Sequence, residues 1–247
     1  LLERQIPEVI IAYPRLIEIG HNIIAEAFST QVIHPGITTT DDVVWWMRQR
    51  MHNIGLQAWF QPSIDIQAPD QSYQQQENLR HVIMPGDLLH CDMGFYYLGL
   101  ATDQQQHAYV LKRGESSPPQ GLIEALRHGN RLQDIHMEEM KVGRTGNEIL
   151  KSALKRAQEE GIRPQIYSHP LGYHGHAAGP TIGLWDRQEG VPGNGDYELF
   201  DNTIYSIELN VVKSVAEWDH QDVRIMLEED AVLTEETMHW LDGRQEH

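Results

Sequence analysis

The hydrophobic and polar positions near the start of the chain predict a helical hairpin. Apolar side chains recur at helical spacing from Glu8 to Phe28, and Pro14 is expected to break or kink that helix. The segment Thr39-Thr40-Asp41 supplies capping groups for a second helix from Val43 to Ile54, which Gly55 is expected to stop.

The same plan recurs further along the chain. Helices are predicted from Leu122 to Met140 and from Glu148 to Glu160, and each helical hairpin is followed by strand-like sequence, at Leu56 to Gln67 and at Gln165 to His169.

Aligning the two copies pairs Thr38 with Thr145 and Gly55 with Gly161. We interpret this as one duplication inside a single domain of residues 1–247, with pseudo-repeats at about 8–112 and 120–240. Chance similarity between two helical hairpins is the alternative.

Composition narrows the class of protein. The chain has 247 residues, 40% of them hydrophobic, which suits one large domain or two intimate halves. Its 36 acidic and 19 basic residues give a formal charge of −17, which argues against nucleic-acid binding. No apolar run is long enough to span a membrane, and the single cysteine rules out an internal disulfide framework. No signal peptide is visible, so a cytoplasmic location is expected; secretion stays open because the chain opens on Leu1 without a Met.

Two pairs of acidic residues fall within predicted core strands. Strands are predicted from Leu88 to Phe95 and from Leu100 to Leu111, and a turn centred on Tyr97-Leu98 would place Asp92 directly opposite Asp103. Opposed side chains share a face with Cβ atoms roughly 5 Å apart. Two buried carboxylates that close repel each other, and a divalent cation removes the repulsion.

The second half repeats the arrangement. Strands are predicted from Thr203 to Val212 and from Asp222 to Leu233, and Glu208 opposes Glu228 if the turn centres near Trp218. Either pair alone could belong to a solvated edge hairpin, but two pairs on two hairpins favour a metal site.

A histidine is expected to complete such a site. The best source is His176 in the Gly-rich segment between the two hairpins, although an ordinary loop histidine is the alternative. Four carboxylates and one imidazole suit two divalent cations, Mn²⁺ first, with Co²⁺ and Zn²⁺ as alternatives.

The order Asp, Asp, His, Glu, Glu resembles the metal set of the creatinase/methionine aminopeptidase family (M24), especially Xaa-Pro aminopeptidase and prolidase catalytic domains. The resemblance covers roughly residues 8 to 240. It is carried by five short motifs in order: Asp92-Met93-Gly94, Thr102-Asp103, Gly175-His176, Ile207-Glu208-Leu209-Asn210 and Glu228-Glu229-Asp230.

The resemblance implies an α+β pita-bread fold, with two pseudo-symmetric halves around a curved antiparallel sheet. It implies a dinuclear-metal-dependent aminopeptidase or dipeptidase of Xaa-Pro type that acts on small peptides, and a homodimer. It also implies a metal-bridging hydroxide as nucleophile, Glu208 as its proton acceptor, and Asp103 and Glu228 as bridging ligands. The implied ligands are Asp92, Asp103, His176, Glu208 and Glu228.

The sequence departs from the family at the histidines that contact substrate. The family's histidine before Asp-x-Gly has only His81 as a weak stand-in, and its His-Glu-x-Pro is replaced by residues 187–192 without a histidine. Its Thr-Arg after the second Asp is Gln105-Gln106 here. These losses put peptidase turnover in doubt. A catalytically impaired interaction module, or a non-peptide amidohydrolase of creatinase type, is therefore kept as an alternative.

Two histidines could replace the missing ones. His174 and His169 are candidate donors to a substrate carbonyl, with structural loop histidines as the alternative for each. Cys91 is expected on the strand face opposite Asp92, away from the chemistry.

Overall fold

The computed structural model describes residues 4–69, 82–235 and 237–247. Its helices lie where the periodicity predicts them, and their bounds are Pro7–Ala27 (α1), Thr40–Asn53 (α2), Gln120–Glu139 (α3) and Gly146–Glu159 (α4). The expected break at Pro14 is wrong, since α1 continues through it. Burial of the adjoining Tyr13, Leu16 and Ile17 offsets the cost of a proline inside a helix. None of these helices is long and apolar enough to cross a bilayer.

Capping residues fix the register of the two helical hairpins. Thr39 caps α2 and Thr145 caps α4, each in a reciprocal capping box with the acid three residues later. Gly55 and Gly161 follow the two helices with φ of 78° and 75°, a conformation that glycine adopts without strain. The caps pair Thr145 with Thr39, so the sequence alignment with Thr38 is wrong by one residue. The origin of the two halves by duplication stays a prediction.

The predicted strands form antiparallel sheets, so the α+β class is confirmed. The strand orders are β2-β3-β6, β1-β4-β5, β11-β10-β7 and β13-β12-β9-β8. In chain order the bounds are Gln57–Ala58 (β1), Ser63–Gln67 (β2), Leu88–Met93 (β3), Phe95–Tyr97 (β4), Leu100–Ala101 (β5), Gln104–Tyr109 (β6), Pro164–Ile166 (β7), His169–Leu171 (β8), Thr203–Ser206 (β9), Leu209–Val215 (β10), Gln221–Leu227 (β11), Asp230–Thr234 (β12) and Thr237–Trp240 (β13).

Three of the predicted long strands are broken at the acidic residues of interest. Asp103 lies between β5 and β6, Glu208 between β9 and β10, and Glu228 between β11 and β12. At each break the chain passes from one sheet to another. Each of the three acids therefore lies at a point where the chain leaves one sheet and enters another.

The first hairpin has a different register from the predicted one. Tyr97 pairs with Leu100, so the turn is centred on Leu98 and Gly99, whose φ values are 51° and 81°. A two-residue turn of this kind needs positive φ at both central positions, and Gly99 supplies one at no cost. As a result Asp92 pairs with Gln105, and the predicted direct opposition of Asp92 and Asp103 is wrong.

The second hairpin has the predicted register. Leu209 pairs with Leu227, and the same register carried one residue further puts Glu208 opposite Glu228. A backbone bridge then joins the two halves: the N–H of Gln105 donates to the carbonyl of Glu228 at 2.9 Å, and the N–H of Glu228 donates back at 3.2 Å. The acids of one half are thereby brought against those of the other.

An ionic cluster fastens α1 to the second half. His21 Nε2 lies 2.6 Å from Glu229 Oε2, and its Nδ1 lies 2.8 Å from Asp242 Oδ2. Burial alone would lower the pKa of His21, but the two carboxylates outweigh burial and raise its pKa to about 9.

The His21 contact predicts a pH dependence of folding stability. A folded-state pKa of about 9 against an ordinary 6.5 means that the stabilisation is complete below pH 6.5 and is lost as pH rises through 9. The unfolding free energy of the wild type minus that of His21→Gln should therefore fall between these pH values, as measured by urea denaturation. A difference that does not change with pH would contradict the assignment.

Candidate metal centre

The side chains predicted as ligands converge at the junction of the two halves. Asp92 comes from the end of β3, and Asp103, Glu208 and Glu228 come from the three strand breaks. Their oxygens form three groups, two of which include histidine nitrogens, and in each group all ligand atoms lie within 4.8 Å of one another: Asp92, Asp103 and Glu228; His169, Glu208 and Glu228; and Asp103, His169 and His176.

Two carboxylates are shared between these groups. Asp103 belongs to the group with Asp92 and to the group with the two histidines, and Glu228 likewise belongs to two groups. A carboxylate shared in this way can bridge two cations. The overlap of the groups is therefore compatible with two adjacent metal positions.

His169 lies among the carboxylates at the start of β8. Its Nε2 is 3.6 Å from Glu228 Oε1, 3.7 Å from Asp103 Oδ2 and 4.0 Å from Glu208 Oε2, and the residue is only 3% exposed. Its Nδ1 lies 3.1 Å from the Pro170 carbonyl, to which it can only donate. Nε2 of the neutral ring is then an acceptor that faces the carboxylates, which is the arrangement of a metal-ligating imidazole.

His176 approaches the same centre from the more exposed side. Its ring centroid lies 4.5 Å from that of His169 and 5.4 Å from that of Trp59. The adjacent Gly175 leaves room for this packing, because a Cβ there would lie 2.4 Å from the Trp59 ring. His176 is therefore held close to His169 by the fold of its loop.

The remaining sequence candidates lie elsewhere. His174 is exposed, makes an edge-to-face contact with Tyr173 at 5.1 Å between ring centroids, and belongs to none of the groups found among the described residues. His81 falls outside the described residues. Cys91 is fully buried, with Sγ 4.0 Å from Met47 Sδ on the helix-facing side of β3.

Tyr167 is a site residue that sequence reasoning missed. Its hydroxyl lies 3.5 Å from His176 Nε2, and its ring packs against His169 at 5.6 Å between centroids. Burial and the nearby Glu208 raise the pKa of Tyr167 to about 12, so it keeps its proton. The alternation of Tyr167 and His169 along one face was the available signal.

Two cavities flank Tyr167 beside the clustered carboxylates. One of about 410 Å³ is lined by Gln105, Glu208, Asn210 and Arg224, and the other, of about 390 Å³, by His169 and His176. A larger cavity of about 490 Å³ lies between β6, α3 and the C-terminal residues and touches none of the clustered acids. The two smaller cavities are therefore the ones that can present a substrate to the centre.

Burial and mutual repulsion dominate the electrostatics of the cluster. Burial, then the charge of Glu228, raises the pKa of Asp92 to about 8 and raises the pKa values of Asp103 and Glu208 well above their usual range. Each carboxyl therefore resists ionisation while its neighbours are charged.

The residues present fit divalent cations. Asp92 Oδ1 and His169 Nε2 are buried polar atoms without a hydrogen-bond partner in the described part of the chain, and both lie in the cluster. Buried polar atoms of this kind normally have partners, and a cation would supply one while offsetting the repulsion. An oxygen-rich set with imidazole suits Mn²⁺, Co²⁺ or Zn²⁺.

Comparison with known proteins places the chain among metallopeptidases. The model of metallopeptidase family M24 matches residues 15–235. A search of curated protein sequences returns no match. Similar solved structures include an X-Pro aminopeptidase from Thermotoga maritima, with 19% identity and a TM-score of 0.75 over 100% of this chain and 64% of that one. They also include a prolidase from Pyrococcus furiosus, with 18% identity and a TM-score of 0.72 over 99% and 66%.

The chain therefore spans about two thirds of the length of these relatives. A methionine aminopeptidase from Thermotoga maritima is matched along its whole length, with 17% identity and a TM-score of 0.69 over 99% of this chain and 100% of that one. At such identities the likeness shows the fold, and it confirms the predicted pita-bread architecture.

The electrostatics predict that Asp103→Asn raises the thermal stability of the metal-free protein and removes the further stabilisation by Mn²⁺. Asp103→Asn puts a neutral amide in place of a carboxyl whose ionisation burial and neighbouring charges oppose, so the metal-free variant should unfold a few degrees above the metal-free wild type at pH 7.5. Mn²⁺ should raise the wild-type midpoint and leave that of the variant nearly unchanged. Thermal unfolding with chelator and with Mn²⁺ tests this. The exposed Asp186→Asn is the control, which should behave as wild type; a metal-free Asp103→Asn that is less stable would contradict the account.

Proposed function

The chain belongs to metallopeptidase family M24, and from that premise we propose that it is a dinuclear-metal-dependent exopeptidase that cleaves Xaa-Pro bonds in short peptides. The observation that carries the proposal is the sharing of Asp103 and Glu228 between groups of clustered ligands. The relatives named X-Pro aminopeptidase and prolidase support the Xaa-Pro preference. The homodimer and the cytoplasmic location remain predictions.

Six side chains would hold the metals, and Mn²⁺ is the first expectation. They are Asp92, Asp103, His169, His176, Glu208 and Glu228. His169 joins the predicted set because of its burial and its distances to three carboxylates. When bound, two divalent cations supply Lewis acidity that polarises a scissile carbonyl and acidifies water.

Glu208 is the proposed proton acceptor. Its Oε1 accepts a hydrogen bond from Gln105 at 3.0 Å, which leaves Oε2 on the side of the cluster. Burial, followed by the charge of Glu228, raises the pKa of Glu208, which favours a carboxyl that takes up and returns a proton.

Tyr167 is the proposed donor to the developing oxyanion of the substrate. It lies between the two cavities, and its raised pKa of about 12 keeps the hydroxyl protonated at neutral pH. Tyr167 would thereby replace the substrate-contacting histidines that the sequence lacks. His174 is not part of the proposal.

Arg224 is proposed to select substrates with a free terminal carboxylate. Asn210 on β10 lies two residues beyond Glu208, and both residues line the cavity of about 410 Å³. Arg224 donates hydrogen bonds to the side chains of Asn210 and Gln165, so its guanidinium lies beside Asn210. The guanidinium has no acidic partner among the described residues. A guanidinium fork matches a carboxylate in shape and charge. This supports dipeptidase over general aminopeptidase specificity.

Turnover of a proline dipeptide tests the main proposal. We expect Mn²⁺-loaded protein to hydrolyse Ala-Pro, and Glu208→Gln, which keeps the shape and removes the base, to lose at least about 100-fold in kcat. Metal binding without turnover of any short peptide would select the impaired module. Turnover of non-peptide amides alone would select a creatinase-type amidohydrolase.

Carboxylate selection predicts a preference that a single substitution removes. The wild type should cleave Ala-Pro with a kcat/KM at least about tenfold above that of Ala-Pro amide, and Arg224→Met should bring the two values together. Arg163→Met is the matched control, because this nearby guanidinium is already paired with Asp222 at 2.7 Å. Equal wild-type rates on acid and amide would rule out the role of Arg224 while leaving the peptidase proposal intact.

A further inference from the structure

Gln105 touches the carboxylate cluster without belonging to it. The residue lies on β6, is 5% exposed, and its side-chain Nε2 lies 3.0 Å from Glu208 Oε1 and 2.7 Å from Glu228 Oε2. A primary amide has two N–H groups, so one nitrogen can donate to both acids at once. Gln105 therefore joins the two carboxylates that come from opposite strands of the second hairpin.

A hydrogen bond to His90, on the side of the amide away from the carboxylates, fixes the orientation of the Gln105 amide. Gln105 Oε1 lies 2.9 Å from His90 Nε2, and His90 is itself buried, with its ring centroid 5.1 Å from that of His107. Carboxylates only accept hydrogen bonds, so the amide nitrogen must face them and the amide oxygen must face His90. His90 must then present an N–H at Nε2, with Nδ1 3.4 Å from Asp65 Oδ2.

This contact occupies one oxygen of each acid, and the Ser206 hydroxyl donates a second hydrogen bond to Glu228, at Oε1. Gln105 occupies Glu208 Oε1 and Glu228 Oε2, while Glu208 Oε2 and Glu228 Oε1 lie 4.0 Å and 3.6 Å from His169 Nε2. A neutral amide orients the acids without adding positive charge, so it does not oppose cation binding as lysine or arginine would at this place.

We propose that Gln105, held by His90, is a positioning residue that turns Glu208 and Glu228 toward the cations. The inference rests on the proposed metal centre and deepens it, since it assigns the role of a residue at which the sequence departs from its family. Partners that orient metal ligands commonly account for about 10- to 100-fold in metal affinity.

The test measures metal binding rather than turnover. Gln105→Met keeps the length of the side chain and removes both donors, so Mn²⁺ affinity by calorimetry should fall at least about tenfold. The visible spectrum of the Co²⁺-loaded variant should differ from that of wild type because the ligand geometry changes. The matched control is Gln106→Met, which removes a comparable 2.8 Å contact to Glu229, a buried acid outside the three ligand groups. It should keep Mn²⁺ affinity within about twofold.

A second variant tests the supporting role of His90. His90→Phe frees the amide of Gln105 and should weaken Mn²⁺ binding by less than Gln105→Met does. The double variant should bind no worse than Gln105→Met, because both changes act through one contact. Circular dichroism establishes that each variant is folded.

Each result decides the inference. Three results would overturn the inference without affecting the proposed metal centre. The first is wild-type Mn²⁺ affinity and Co²⁺ spectrum in Gln105→Met. The others are equal losses of Mn²⁺ affinity in Gln105→Met and Gln106→Met, or additive losses in the double variant. A wild-type protein that binds no divalent cation would overturn the inference and the proposed function together.

Discussion

Repulsion among buried carboxylates is the constraint on which the centre of this molecule depends. Burial and neighbouring charge raise the pKa values of Asp92, Asp103 and Glu208, so the fold holds groups that oppose one another when ionised. Such an arrangement costs folding free energy, and it persists in a structure only where other interactions offset it. The amide of Gln105 offsets part of the repulsion, and cations would offset the rest.

The sheet architecture makes this convergence possible. Within one flat sheet, side chains that share a face lie side by side along neighbouring strands rather than turning toward one point. Breaks at Asp103, Glu208 and Glu228 pass the chain from one sheet to another at the acids themselves. The backbone bridge between Gln105 and Glu228 then joins the two halves at the same place, so fold and site share one junction.

Much of this could be predicted from the sequence, and the failures have physical causes. Helical periodicity and the capping group at Thr39 predicted the helices, because these signals are local. The opposition of Glu208 and Glu228 followed from a symmetric turn. The opposition of Asp92 and Asp103 failed because the left-handed conformations of Leu98 and Gly99 move the turn by one residue. The burial of His169 among three carboxylates depends on how the two halves pack against each other, which the local sequence pattern does not encode.

The bridge between the halves has a consequence for biosynthesis. The hairpin that carries Asp92 and Asp103 leaves the ribosome well before the one that carries Glu208 and Glu228, and long-range pairing of this kind forms slowly. A nascent chain that ends before the second hairpin holds only part of the proposed ligand set, so cation binding at this centre would depend on completion of the last strands. Truncation just upstream of Glu228 would therefore remove both a proposed ligand and the backbone bridge to Gln105 that joins the two halves.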